Sequence, residues 1–124
     1  MTIEVLKDRL TVCKLSDIRL AKLTDDIFFL GKTDEEISLV CRTESAPEAT
    51  SAREDGWRGF RISGELDFSL IGILGRIATL LADSGISIFA VSTYNTDYIL
   101  VKEDKLQIAL DVLKDNGIKT GKDW

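Results

Sequence analysis

"ISIFAVSTYNTDYILVK" (residues 86–102) contains two apolar stretches joined by Ser92, Thr93, Tyr94, Asn95, Thr96 and Asp97. "ISIFAVS" and "DYILVK" have the length and the β-branched and aromatic content of strands. Their connection is longer than a two-residue hairpin turn requires. It is either a solvated turn built from turn-forming residues or the wall of a site. Upstream, "WRGFRISGEL" (57–66) places Phe60, Ile62 and Leu66 on one face and Arg61, Ser63 and Glu65 on the other, the period of a half-buried strand. "SLIGILGRIATLLADSG" (69–85) carries Leu70, Ile73, Leu74, Ile77 and Leu81 at helical spacing. Asp67 or Ser69 is placed to cap its start and Gly85 to end it. Downstream, "EDKLQIALDVLKDNG" (103–117) reads as a second amphipathic helix ending at Gly117, and "IKT" (118–120) as a short last strand. The order is β-α-β-β-α-β, which predicts an α+β, ferredoxin-like unit: four antiparallel strands with two helices on one face.

The first half repeats part of this pattern. When "IFFLGKTDEEISLV" (27–40) is set beneath "IFAVSTYNTDYILV" (88–101), Ile27, Phe28, Leu39 and Val40 fall on Ile88, Phe89, Leu100 and Val101, and Gly56 falls on Gly117. "LTVCKL" (10–15) is the candidate partner of "FRISGE" (60–65), but the interval after it, "SDIRLAKLTDD", is too short for a full helix with loops at both ends. The expectation is two tandem copies. A degenerate N-terminal unit over 1–56 has a reduced or missing first helix, with "PEATSARE" (47–54) as its second. A complete unit covers 57–124.

Bulk composition narrows the function. A chain of 124 residues with 44% hydrophobic and 30% charged residues is ordinary for a globular protein. A net charge of −5 and a pI near 4.7 argue against nucleic-acid and anionic-membrane partners, which need a basic footprint. No apolar run approaches the ~20 residues of a membrane span, and "MTIEVLKDRL" lacks a signal-peptide core, so a cytoplasmic location is expected. The chain has no histidine, the commonest acid–base catalyst, and two cysteines alone do not make a four-ligand zinc site. Neither a metal nor a cofactor is expected, and no catalytic residue is assigned. Cys13 and Cys41 read as buried thiols, with a disulfide left open if their strands are neighbours.

The strand-to-helix junction "GELDFSLIGILGRI" (64–77) places Gly72 and Gly75 near the start of the helix, where glycine costs about 1 kcal/mol relative to alanine. Either the helix packs tightly there, or free N–H groups of its first turn hold a small anionic group such as a carboxylate. Thr93, Asn95 and Asp97 offer hydroxyl, amide and carboxylate groups suited to an ammonium. Arg53, Arg58 and Arg61 read as surface ion pairs rather than an anion site.

"LDFSLIGILGRIATLLADSGISIFAVSTYNTDYILVKEDKLQIAL" (66–110) resembles the ACT domain, and especially the small tandem-ACT proteins related to the CASTOR-type amino-acid sensors. The resemblance rests on the pairing of "LDFSLIGIL" with "GISIFAVSTYNTDYILV" and covers most of 57–120. It implies a βαββαβ regulatory fold that binds a small effector, usually an amino acid, at an interface between ACT units and without chemistry. By the same carry-over, Asp67, Phe68, Ser69, Leu70, Ile71 and Gly72 supply backbone and carboxylate contacts. Ser92, Thr93, Tyr94, Asn95 and Asp97 line the opposite wall. The expected partners are the amino-acid effector and either a second copy of the chain or a regulated protein. The alternative is a structural dimerisation module with no live ligand site. An RNA-recognition module shares the fold class but needs basic residues and exposed aromatics on its sheet.

Overall fold

The computed structural model describes residues 2–63 and 72–121. In chain order it contains strands β1 (Thr2–Lys14), β2 (Phe28–Lys32), β3 (Ile37–Arg42) and β4 (Ala52–Ile62), then helix α1 (Ile73–Asp83). Strands β5 (Phe89–Ser92) and β6 (Asp97–Lys102), helix α2 (Leu106–Asp115) and strand β7 (Lys119–Thr120) follow. Single 3-10 turns lie at Ile18–Leu20, Thr43–Ser45 and Glu103–Lys105. From β4 onward this is the β-α-β-β-α-β order. The chain forms two compact units, one of residues 2–7 with those from 58 onward, the other of residues 8–57. β1 and β4 each contribute to both, so residues 2–7 group with the C-terminal elements, in place of the single boundary expected after residue 56.

In the C-terminal unit the strand order is β7-β1-β4-β6-β5. The expected sheet of four antiparallel strands is thus modified. The start of β1 lies between β4 and β7, and β7 pairs with it in parallel, Thr2 opposite Lys119 and Ile3 opposite Thr120. The insertion has an apolar rationale, because Ile3 and Val5, two apart on one strand face, join the core. That core also takes Phe60 and Ile62 from β4, Ile99 and Val101 from β6, Ile77 and Leu81 from α1, and Ala109 and Leu113 from α2. Each strand offers its i, i+2 face to helices carrying i, i+4 apolar residues, so both helices cover one face of the sheet.

The two helices end alike. Gly85 and Gly117 have φ of 75° and 84°. Ile86 N–H donates to the Leu81 carbonyl and Ile118 N–H to the Leu113 carbonyl, both at 2.9 Å. These are Schellman closures, each with a buried isoleucine beyond the glycine.

In the 8–57 unit the order is β2-β3-β1-β4. Its core is Cys13, Leu15, Leu39 and Cys41, with Ala21, Phe28, Leu30, Ile37 and Ala46 packed against it. The interval between β1 and β2 holds only the Ile18–Leu20 turn, a first helix reduced to one 3-10 turn. The second helix expected over 47–54 does not form. The Thr43–Ser45 turn stops at Ala46, which is extended (φ −66°, ψ 135°), as a residue preceding proline prefers, and β4 begins at Ala52.

The hairpin repeat is present with a shifted register. β2 and β3 enclose a four-residue turn, 33–36, and β5 and β6 enclose another, 93–96. Matching turns, and matching burial of Leu39–Cys41 with Ile99–Val101, give an offset of 60 rather than 61. The Thr43–Ser45 and Glu103–Lys105 turns obey the same offset. Gly56 sits inside β4 and Gly117 after α2, so they are not equivalent.

Candidate functional site

The turn between β5 and β6 is closed by Thr93. Its N–H donates to the Thr96 carbonyl (2.9 Å), its hydroxyl donates to the same oxygen (2.9 Å), and that hydroxyl accepts from Thr96 N–H (3.3 Å). The earlier hairpin uses the same backbone bond, from Thr33 to the Glu36 carbonyl at 2.9 Å. At the base of the turn Ser92 and Asp97 are opposite each other in register, and the Ser92 hydroxyl donates to Asp97 Oδ1 at 2.6 Å. Tyr94 and Asn95 are exposed at the tip.

Thr96, which the expected wall of Ser92, Thr93, Tyr94, Asn95 and Asp97 omits, is the residue that fixes the turn in place. It is buried, and its hydroxyl donates to the Ile62 carbonyl at 3.0 Å. Ile62 is the last residue of β4, so the polar turn is anchored where the chain leaves the sheet towards residues 64–71. The neighbouring β4 end is held as well. Ser63 N–H donates to the Thr2 carbonyl (2.8 Å) and its hydroxyl to Glu4 Oε1 (2.8 Å). Arg61 reaches Glu4 (3.5 Å) and the Tyr98 hydroxyl (3.1 Å), with its guanidinium carbon 5.9 Å from the Tyr98 ring centre.

Asp67, Phe68, Ser69, Leu70 and Ile71 lie outside the described residues. Gly72 is described. It occupies the N-cap of α1 with φ 81°, and no side chain among the described residues caps that end; its carbonyl accepts from Arg76 N–H at 2.8 Å. The N-cap position is therefore neither Asp67 nor Ser69. Among the described residues a Cβ built on Gly72 or Gly75 would meet nothing within 4 Å, and the left-handed φ of Gly72 accounts for that glycine. The three arginines have separate partners: Arg53 pairs with Asp55 (2.9 Å), Arg58 donates to the Leu6 carbonyl (3.0 Å), and Arg61 pairs with Glu4. Among the described residues no group of His, Cys, Asp and Glu could hold a metal ion, and no helix is long and apolar enough to cross a membrane.

Cys13 and Cys41 are buried free thiols on adjacent strands. Cys13 faces Leu39 and Cys41 faces Thr11, so the two are diagonal neighbours. Burial pushes both thiols up, Cys41 to about 11.

A family model described as the ACT domain matches residues 52–115. The chain belongs to the ACT-domain family. This ACT chain is 41% identical over 66 residues to the human protein named "Cytosolic arginine sensor for mTORC1 subunit 1", and 39% identical to the rat protein of the same name. Each match covers 52% of this chain and 20% of the relative, so the chain spans about a fifth of the length of these curated relatives. Among solved structures, the Agrobacterium tumefaciens protein Atu0741 is similar over 98% of this chain and 92% of its own, with a TM-score of 0.87 and 26% identity. The regulatory subunit of aspartate kinase from Thermus thermophilus covers 91% of this chain and 95% of its own, with a TM-score of 0.61 at 10% identity, a likeness of fold alone.

Proposed function

We propose that this ACT protein is a non-catalytic regulatory module of the cytoplasm that binds an amino acid at an interface between ACT units. The effector would lie between the 67–72 segment, offering the Asp67 carboxylate and backbone N–H groups, and the polar wall Ser92, Thr93, Tyr94, Asn95 and Asp97. The carrying observation is the Thr96–Ile62 bond, which holds the polar turn at the exit of β4. The name of the human and rat relatives, an arginine sensor, supports an amino acid as the effector class. Asp97 accepts the ammonium group in this reading, and the N-terminal end of α1, beginning at Gly72, is set against the carboxylate. Binding shifts the equilibrium with a partner, a second copy or a regulated protein, only as far as the effector prefers one state over the other.

The test is thermal unfolding of the full chain against each common amino acid. A specific effector at a hundred times its Kd adds about 2.7 kcal/mol, a rise in Tm of several degrees. Asp97→Ala is expected to abolish that rise while leaving the unliganded Tm close to wild type. Silence from every amino acid would favour a purely structural pairing module, and an unchanged response in the variant would remove Asp97 from the site.

A further inference from the structure

In the 8–57 unit, residues 16–26 stand where the C-terminal unit has its first helix, but they are thinly anchored. Ala21 packs against the Cys13–Leu15–Leu39–Cys41 core. The larger side chains Ile18, Leu20 and Leu23 remain 41%, 38% and 52% exposed. The backbone is held by one 3-10 turn, with Leu20 N–H on the Asp17 carbonyl and Ala21 N–H on the Ile18 carbonyl, both at 3.1 Å.

The far end is held by charge. The Asp25 side chain, 10% exposed, lies 3.4 Å from Arg42 Nε at the end of β3, and Arg42 Nε lies 3.5 Å from Glu44. These separations exceed the ~2.7–2.9 Å of a charge-assisted hydrogen bond. Among the described residues, Asp25 Oδ2 and Arg42 Nε are shut off from solvent and lack a hydrogen-bond partner. The Ser45 hydroxyl, against the opposing push of burial and aided by Arg42 and Lys22, holds the Asp25 carboxyl below its ordinary range. The cluster is therefore charged near neutral pH but imperfectly satisfied. Opening would return those polar atoms to water and give up the half-buried faces of Ile18, Leu20 and Leu23 and the Ala21 contact but no fully buried side chain of the segment, the conditions for local rather than global unfolding.

We propose that residues 16–26 form a strap over the thiol-bearing core, latched by Asp25, Arg42 and Ser45, and that releasing the latch exposes Cys13 and Cys41 without unfolding the chain. The strap is then a built-in gate on two otherwise inert thiols. Their closed-state protection comes from burial, which also disfavours the reactive thiolate.

The experiment is alkylation of the full chain by iodoacetamide at pH 8, followed by mass spectrometry across a series of low urea concentrations. Local release predicts slow labelling of both cysteines at a rate almost independent of urea until global unfolding takes over. Asp25→Asn is expected to raise the low-urea rate about tenfold or more. Wild-type labelling that follows the full urea slope of global unfolding from the outset would overturn the proposal, as would an unchanged rate in a folded Asp25→Asn. Should that variant not fold, the wild-type urea profile decides alone.

Discussion

Thr96 and Cys41 show how much single side chains carry in this chain. Thr96 gives its hydroxyl proton to the Ile62 carbonyl from a buried position, whereas Ser92 bonds Asp97 in the open. Thr96→Val keeps the shape and leaves that carbonyl without its donor, so it is expected to lower stability by about 1 kcal/mol, with an unchanged m-value in urea. Ser92→Ala is expected to stay within about 0.5 kcal/mol. Equal effects of the two would mean that the turn is not anchored at Ile62. Cys41 makes a prediction in pH. Burial raises its folded-state pKa from the ordinary 9.0 to about 11, so on raising the pH the unfolded chain loses this proton first. Stability owed to this group is intact below about pH 9 and declines between about 9 and 11, by on the order of 2 kcal/mol. Urea melts from pH 8 to 11 are expected to show that decline in wild type and a shallower one in Cys41→Ala.

At the scale of elements, the paired Schellman closures matter most. Gly85 has φ 75°, and among the described residues a Cβ there would meet nothing within 4 Å, so the left-handed φ is what calls for glycine. Gly85→Ala is expected to cost about 1 kcal/mol in urea melts; no loss would show that the α1 end relaxes to another cap. Those endings were legible because glycine after an apolar helical stripe has one common use. The β5–β6 hairpin was legible through its apolar strands. The β2–β3 copy was legible too, but its register was not: Ile-Phe and Leu-Val pairs match at an offset of 61, whereas the turns, the strand burial and the following 3-10 turns fix 60. The helix expected at 47–54 does not form because its last residues, Ala52, Arg53 and Glu54, belong to β4, which leaves too few for a helix before it. β1 was legible only from Leu10 onward. Its burial switches phase, Ile3 and Val5, then Leu6, then Leu10, Thr11 and Cys13, so no single alternation runs along it. In the candidate site, the polar wall could be named from residue types. That Thr96 would turn inward and tie it to β4 could not, because the bond is to a backbone carbonyl 34 residues away.

For the whole molecule, charge and fold make opposing suggestions, and the sheet chemistry decides between them. Ferredoxin-like sheets can serve single-stranded RNA when aromatics and cations lie open on one face. Here Tyr98 and Arg61 are the obvious pair on such a face, but Arg61 is already engaged by Glu4 at 3.5 Å and by the Tyr98 hydroxyl at 3.1 Å. Glu4 offsets the charge that a phosphate would seek. The chain as a whole carries 21 acidic against 16 basic residues, so the long-range field repels a polyanion as well. Fluorescence anisotropy with labelled single-stranded RNA at low salt is therefore expected to show no binding tighter than about 10⁻⁴ M, the weak end of non-specific affinity. Tighter, salt-sensitive binding would mean that the Arg61–Glu4 pair opens to admit phosphate. It would also place the polar turn beside a nucleic-acid surface rather than around the small effector proposed for it.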